Sequence, residues 1–95
     1  MLSENNSKLR KIIAVIGHYQ TLMIVAELLI VKQICFNELR KKIGVNPASM
    51  DKYLKLLVDE NIVKKDETAE VMRNWYSLTQ KGLKLGKVIT ILKKL

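Results

Sequence analysis

Residues 37–60 read NELRKKIGVNPASMDKYLKLLVDE, and this stretch decides the fold. Asn37 is a side chain that can accept from the amides of a first helical turn, and Glu38 adds an acid there. A helix over 38–43 is expected. Gly44 supplies the positive φ that a tight joint between helices needs. Asn46 followed by Pro47 opens a second helix: Asn caps it, and a proline at the first helical position gives up no hydrogen bond. That helix runs to about residue 60, with Asn61 as a left-handed terminator. Two helices on a three-residue joint containing glycine are helix-turn-helix grammar.

Outward from this pair, 62–66 and 72–78 are short strand candidates with 66–71 between them. A hairpin directly after the second helix makes a wing. Thr79 can cap a last helix over 80–95, whose stripe is Leu85, Val88, Ile89, Leu92 and Leu95. Gly82 and Gly86 each weaken that helix by up to ~1 kcal/mol, which packing must offset. On the other side, 33–36 is short and β-favouring. Residues 21–31 are apolar nearly all round and read as the central buried helix. His18, Tyr19 and Gln20 form a joint after Gly17, and Ser3 can cap a first helix over 3–16. Its stripe is Leu9, Ile12, Ile13 and Ile16, with Lys8, Arg10 and Lys11 outside it. The expected fold is mainly α with a small β-hairpin wing (α+β): one winged helix-turn-helix domain over 1–95. The helix-turn-helix covers about 37–60, the wing about 62–78, and extra terminal helices 3–16 and 80–95.

The chain has 95 residues, with 17 Lys or Arg against 9 Asp or Glu, for a net charge of +8. An apolar fraction of 48% is too high for a disordered basic tail, so the charge sits on a folded object. A folded basic domain points to nucleic acid first and an anionic membrane second. A domain this small leaves little room for an active-site cleft. The single cysteine, Cys35, can form no internal disulfide, and no zinc quartet is present, which suits a cytoplasmic protein. The N-terminus has no signal-peptide pattern. The most apolar run, 22–31, is broken by Glu27 and falls short of the ~20 residues that span a bilayer. No Gly-rich phosphate loop, His-x-x-x-His pattern or nucleophile with a nearby base occurs. The expectation is no enzyme, no metal and no cofactor.

With these residues in place, FNELRKKIGVNPASMDKYLKLLVDENIVKK followed by WYSLTQKG resembles the core of prokaryotic winged-helix transcription regulators. The ArsR, MarR and HxlR groups and their small archaeal relatives share the pattern, and the Lys/Ile-rich style looks archaeal or archaeal-viral. The resemblance covers about residues 34–82. Asn61-Ile62-Val63 stands where those families often have Gly-Leu-Val, and Leu78-Thr79-Gln80-Lys81-Gly82 matches their Leu-Thr-x-x-Gly element. Two departures matter. Metal-sensing relatives use cysteine clusters, which this chain lacks. Many wings also carry a basic tip, whereas 66–70 hold three acids and no base, leaving Arg73 or Asn74 of the second strand for that role.

Spacing divides the second helix of the pair. Met50, Leu54 and Leu57 form the core face, with Val58 and Tyr53 at its margin. Ala48, Lys52, Lys55 and Asp59 point the other way. A helix in the major groove reads bases with its N-terminal half, so Pro47, Ala48, Ser49 and Lys52 are the candidates for base edges, with the capping Asn46 beside them in the DNA-binding set. Ala48 suits a thymine methyl, Lys52 guanine O6 or N7, and Ser49 any base. Lys55 and Tyr53 suit phosphate, joined by Lys41 and Lys42 at the end of the preceding helix. The opposing reading makes Lys52 and Lys55 an ordinary solvated face. Asp51 is read as first-turn stabilisation of the helix dipole, the alternative being acceptance from cytosine N4.

The two terminal stripes are expected to build a dimer. A twofold pair would hold two recognition helices ~34 Å apart, matching a palindrome in double-stranded DNA. The alternative is that both stripes pack on the chain's own core. A membrane-surface role for the last helix is disfavoured by its lack of Trp and Phe. His18 and Cys35 read as structural, and Trp75, Tyr76 and Tyr19 as anchors into the core. The expected function is a sequence-specific transcription regulator, most simply a repressor that occludes a promoter, with no effector deducible. Spread of lysine into the last helix keeps open a non-specific architectural DNA binder. The acidic wing keeps open a protein-interaction module.

Overall fold

A computed structural model describes residues 18–68 and 73–95. The expected 3–16 helix, with Leu9, Ile12, Ile13 and Ile16, lies outside the described residues, as does the wing tip at 69–72. The elements run α1 (Tyr19–Val31), β1 (Gln33–Cys35), α2 (Phe36–Ile43), α3 (Pro47–Asp59), β2 (Val63–Thr68), β3 (Arg73–Leu78) and α4 (Gln80–Lys93). The strands form one antiparallel sheet in the order β1-β3-β2. Helices α2 and α3 are the helix-turn-helix pair and β2-β3 is the wing, so the architecture is a winged helix.

The joint between α2 and α3 forms as its residues dictate. Gly44 closes α2 at φ 80°, its amide donating to the Arg40 carbonyl. Asn46 Oδ1 accepts the Ser49 amide at 2.8 Å, and Pro47 opens α3. Asn61 ends the following turn in the left-handed region, at φ 59°. The start of α2 differs from expectation. Cys35 is its N-cap residue, in extended backbone, and Asn37 lies inside the helix. Strand β1 passes straight into α2, so the boundary is set by where sheet pairing stops rather than by a capping side chain.

Strand β1 pairs with β3 through Gln33 and Ser77, Ile34 and Tyr76, and Cys35 and Trp75. Strand β2 runs two residues further than expected, to Thr68, with Glu67 opposite Asn74 and Thr68 opposite Arg73. Alternation along the strands sends Ile34, Val63, Tyr76 and Leu78 into the core. Tyr76 is therefore the aromatic anchor. Trp75 is not, because it falls on the other face, half-buried and outside the main apolar cluster. Tyr19 is exposed and corrects the same expectation.

Helix α1 begins two residues earlier than expected. The His18 carbonyl accepts both the Thr21 amide at 3.0 Å and its hydroxyl at 2.6 Å. Thr21, Ile24, Val25 and Leu28 are buried against the other helices, but Met23 and Ile30 are exposed, the latter at 71%. The apolar composition suggested a helix buried all round; the structure covers only one side.

Thr79 ties α4 to the corner between α3 and β2. Its hydroxyl accepts the Gly82 amide at 3.0 Å and donates to the Asn61 carbonyl at 2.6 Å, while its own amide donates to Ile62. Gly82 is buried in that corner, and a Cβ there would overlap the Ile62 carbonyl oxygen. Gly86 packs against the Leu29 side chain of α1. Both glycines thus exchange helix propensity for close approach. The core they complete joins Ile24, Leu28, Leu39, Met50, Leu54, Leu57, Ile62 and Ile89.

Candidate nucleic-acid interface

Helix α3 presents Ala48, Asp51, Lys52, Lys55 and Asp59 as one exposed stripe. The stripe follows from the core face: once Met50, Leu54 and Leu57 are buried, these positions turn outward. At the N-terminal end, Asn46 and Pro47 are exposed and Ser49 is half-buried. Asn46 uses its side-chain oxygen for the cap, which leaves its amide nitrogen as the group that can face a partner. Asp51 corrects an expectation. It is the fifth residue of α3, and no acid lies in the first turn, so the helix dipole does not explain it. It sits on the outward stripe one turn before Lys55.

The other candidates spread further. Tyr53 is half-buried against the core, with its ring centroid 5.9 Å from that of His18. It lies on a different side of α3 from Lys55, two positions on. Lys41 is exposed at the end of α2. Lys42 donates to Glu27 of α1 at 3.1 Å, so its ammonium is directed across to α1. Asn74 is half-buried in β3 opposite Glu67. Of Arg73 only the backbone position, at the start of β3, is described.

A cleft separates α3 from the wing. It is lined by Asp51, Leu54, Lys55 and Val58 on the helix and by Lys65 and Tyr76 on the sheet. Lys65 was missed among the sequence candidates. Alternation could have found it: if Val63 is buried, the residue two further along β2 shares its face.

The expected dimer residues divide. Ile89 is buried in the chain's own core and Leu85 packs on it, so these two are committed internally. Val88, Leu92 and Leu95 are exposed, and so is Ile91, which the expected stripe omitted. Ile91 follows Val88 by three positions, a spacing that puts both on one side of α4. Beside them lies an open groove of about 510 Å³, lined by Tyr19, Met23, Ile30, Ile43 and Leu92 among others, with Glu27 and Lys42 at its border. Among the described residues no group of three or more His, Cys, Asp or Glu could hold a metal ion, and no helix is long and apolar enough to cross a membrane.

Comparison with known proteins fits this geometry. No curated protein matches the chain. Among solved structures, the chain is similar to a putative MarR-family transcriptional regulator from Porphyromonas gingivalis W83, at 30% identity and a TM-score of 0.80. That match covers 90% of this chain and 85% of the other. It shares its fold with a transcriptional regulator homologue from Pyrococcus horikoshii OT3, at 22% identity and TM-score 0.77, over 93% and 91% of the two chains. NolR from Sinorhizobium fredii superposes with TM-score 0.81 at 16% identity, covering 95% of this chain and 88% of that one. The model of the HxlR-like helix-turn-helix family matches residues 15–95. The chain therefore belongs to the HxlR-like helix-turn-helix family, a family of DNA-binding transcription regulators and not of enzymes.

Proposed function

We propose that this protein is a sequence-specific transcription regulator that binds double-stranded DNA as a homodimer, with α3 in the major groove of each half of a palindromic site. The observation that carries the reading is the outward stripe of α3, which offers Ala48 and Lys52 beside a capped, exposed N-terminal end. Lys52 has the reach and charge for guanine O6 or N7, and Ala48 the size for a thymine methyl. Ser49 adds a hydroxyl at the same end. Lys55 and Lys41 act on phosphate, with Arg73 and Asn74 as the wing-strand candidates for the adjacent groove, whereas Lys42 is held by Glu27 and Tyr53 by the core. The homodimer is supported by the exposed apolar side chains of α4, which continue into the groove beside α1. Repression by occluding a promoter is the simplest mode of action.

Selection of bound duplexes from a random library, with the molecular mass measured in solution, tests the reading. A shared inverted repeat with half-sites ~34 Å apart and the mass of two chains are expected. Recovery of no common sequence, with equal affinity for all duplexes, would replace specific recognition by non-specific DNA packaging.

A further inference from the structure

The cleft between α3 and the wing has a volume of about 220 Å³. That is below the ~300 Å³ at which sites for small organic molecules begin. Its floor is apolar, built by Leu54, Val58 and the buried Tyr76. Its rim is charged: Lys55 from the helix and Lys65 from β2, both exposed, with Asp51 beside them. Apolar walls weaken solvent screening, so two ammonium groups at such a rim attract an anion more strongly than on a flat surface.

The sheet register fixes which lysine takes part. Val63 pairs with Leu78 and Lys65 with Tyr76, so Lys65 shares the inner face with buried residues. Lys64 pairs with Ser77 and shares the opposite face of the sheet. Two adjacent lysines of one strand therefore have different surroundings. The cleft also runs along the flank of the helix whose outward stripe faces the groove in the reading above. The sugar-phosphate backbone that borders a major groove passes along such a flank.

We infer that Lys55 and Lys65 together hold one backbone phosphate of duplex DNA, so that the wing strand and α3 grip the same strand edge. The inference rests on the assignment of α3 to the major groove. The shared phosphate fixes how far α3 is rotated about its axis, and hence which side chains meet the bases. Asp51 at the same rim opposes a free anion. The cleft therefore answers to a phosphate that the rest of the duplex brings to it.

The test measures binding of a mixed-sequence duplex over graded KCl for the wild-type chain and single-lysine variants. Each phosphate contact contributes about 0.9 to the slope of log affinity against log salt. Lys65→Gln is expected to lower that slope by about this amount, so the gain in affinity from 200 to 50 mM salt shrinks about three- to fourfold. Lys65→Arg keeps the charge and retains binding, which separates loss of charge from damage to the strand. Lys64→Gln leaves the slope unchanged. The Lys55→Gln, Lys65→Gln double variant loses less than the product of the single losses, because both groups serve one phosphate. A wild-type slope in Lys65→Gln, an equal loss in Lys64→Gln, or strictly multiplicative losses would overturn the shared phosphate while leaving the major-groove assignment intact. Displacement of DNA by inorganic phosphate beyond its ionic strength would also overturn it, by assigning the cleft to a free anion. A wild-type chain with no salt-dependent duplex binding would instead remove the assignment of α3 itself.

Discussion

Lys52 and Lys55 are one turn apart on α3 and have the same charge, yet the geometry gives them different work. Lys52 lies nearer the capped end, where a groove-bound helix meets base edges, whereas Lys55 borders the wing cleft. Lys52→Ala is therefore expected to cost about 1–3 kcal/mol on the selected site and to relax preference at one base pair. Competition between the selected duplex and versions changed at single positions checks this. A uniform loss across all versions would move Lys52 to the phosphate class. Spacing alone separated the buried from the outward positions of α3, because Met50, Leu54 and Leu57 recur with the helical period. It gave Asp51 the wrong cause. The fifth residue of a helix is too far from the free amides to act on them, as counting from Pro47, the start the sequence itself marks, makes plain.

At the scale of elements, the corner where α3 ends, β2 begins and α4 starts leaves no room for a side chain at Gly82. Gly82→Ala sets a methyl group against the Ile62 backbone carbonyl, which has no side-chain freedom to yield. A loss of about 3 kcal/mol or more is expected, at the upper end of overpacking changes, and thermal denaturation reads it. An unchanged melting temperature would mean that α4 can slide away from β2. Thr79 acts in the same corner through its hydroxyl, which both caps α4 and donates to Asn61. Thr79→Ala should cost about 1–2 kcal/mol, and Thr79→Ser should recover most of it. Equal losses in the two variants would assign the effect to the threonine methyl. These local signals were readable: Thr79 as a cap, Asn46 before Pro47, Gly44 as a joint. The cost of glycine to helix propensity was also readable, but its reason was not. The contacts of Gly82 with Ile62 and Gly86 with Leu29 join positions far apart in the chain. The pairing of β1 with β3 is hidden for the same reason, since a period of two marks a strand and not its neighbour.

For the whole molecule, stability turns on what covers the apolar side that α1 and α4 share. Helix α1 leaves Met23 and Ile30 exposed, and α4 leaves Val88, Ile91, Leu92 and Leu95, with Leu92 at 58%. Scattered apolar side chains are normal on a surface, but these lie on two packed helices that share a groove. The net charge of +8 does not select this side as the face for DNA. Lys42 at its border is turned to Glu27, and the polar stripe is on α3. Long-range attraction to a phosphate backbone is the work left to the charge as a whole, with base selection in a few residues of α3. If a second copy covers the apolar side, stability must depend on protein concentration, because association and folding are then linked. The wild-type melting temperature should rise with concentration. An Ile91→Glu, Leu92→Glu double variant would bury four unpaired carboxylates in a twofold interface, at several kcal/mol each, and should run as a single chain. Its melting temperature should no longer depend on concentration. Its affinity for an inverted repeat should fall about 100-fold or more, since the second half-site is no longer bound intramolecularly, while affinity for a single half-site stays as in the wild type. Equal losses on the repeat and on the half-site would mean that the substitutions disturb α4 and its packing on the core. A wild-type chain of monomer mass, with a melting temperature independent of concentration, would leave α3 to read one half-site at a time.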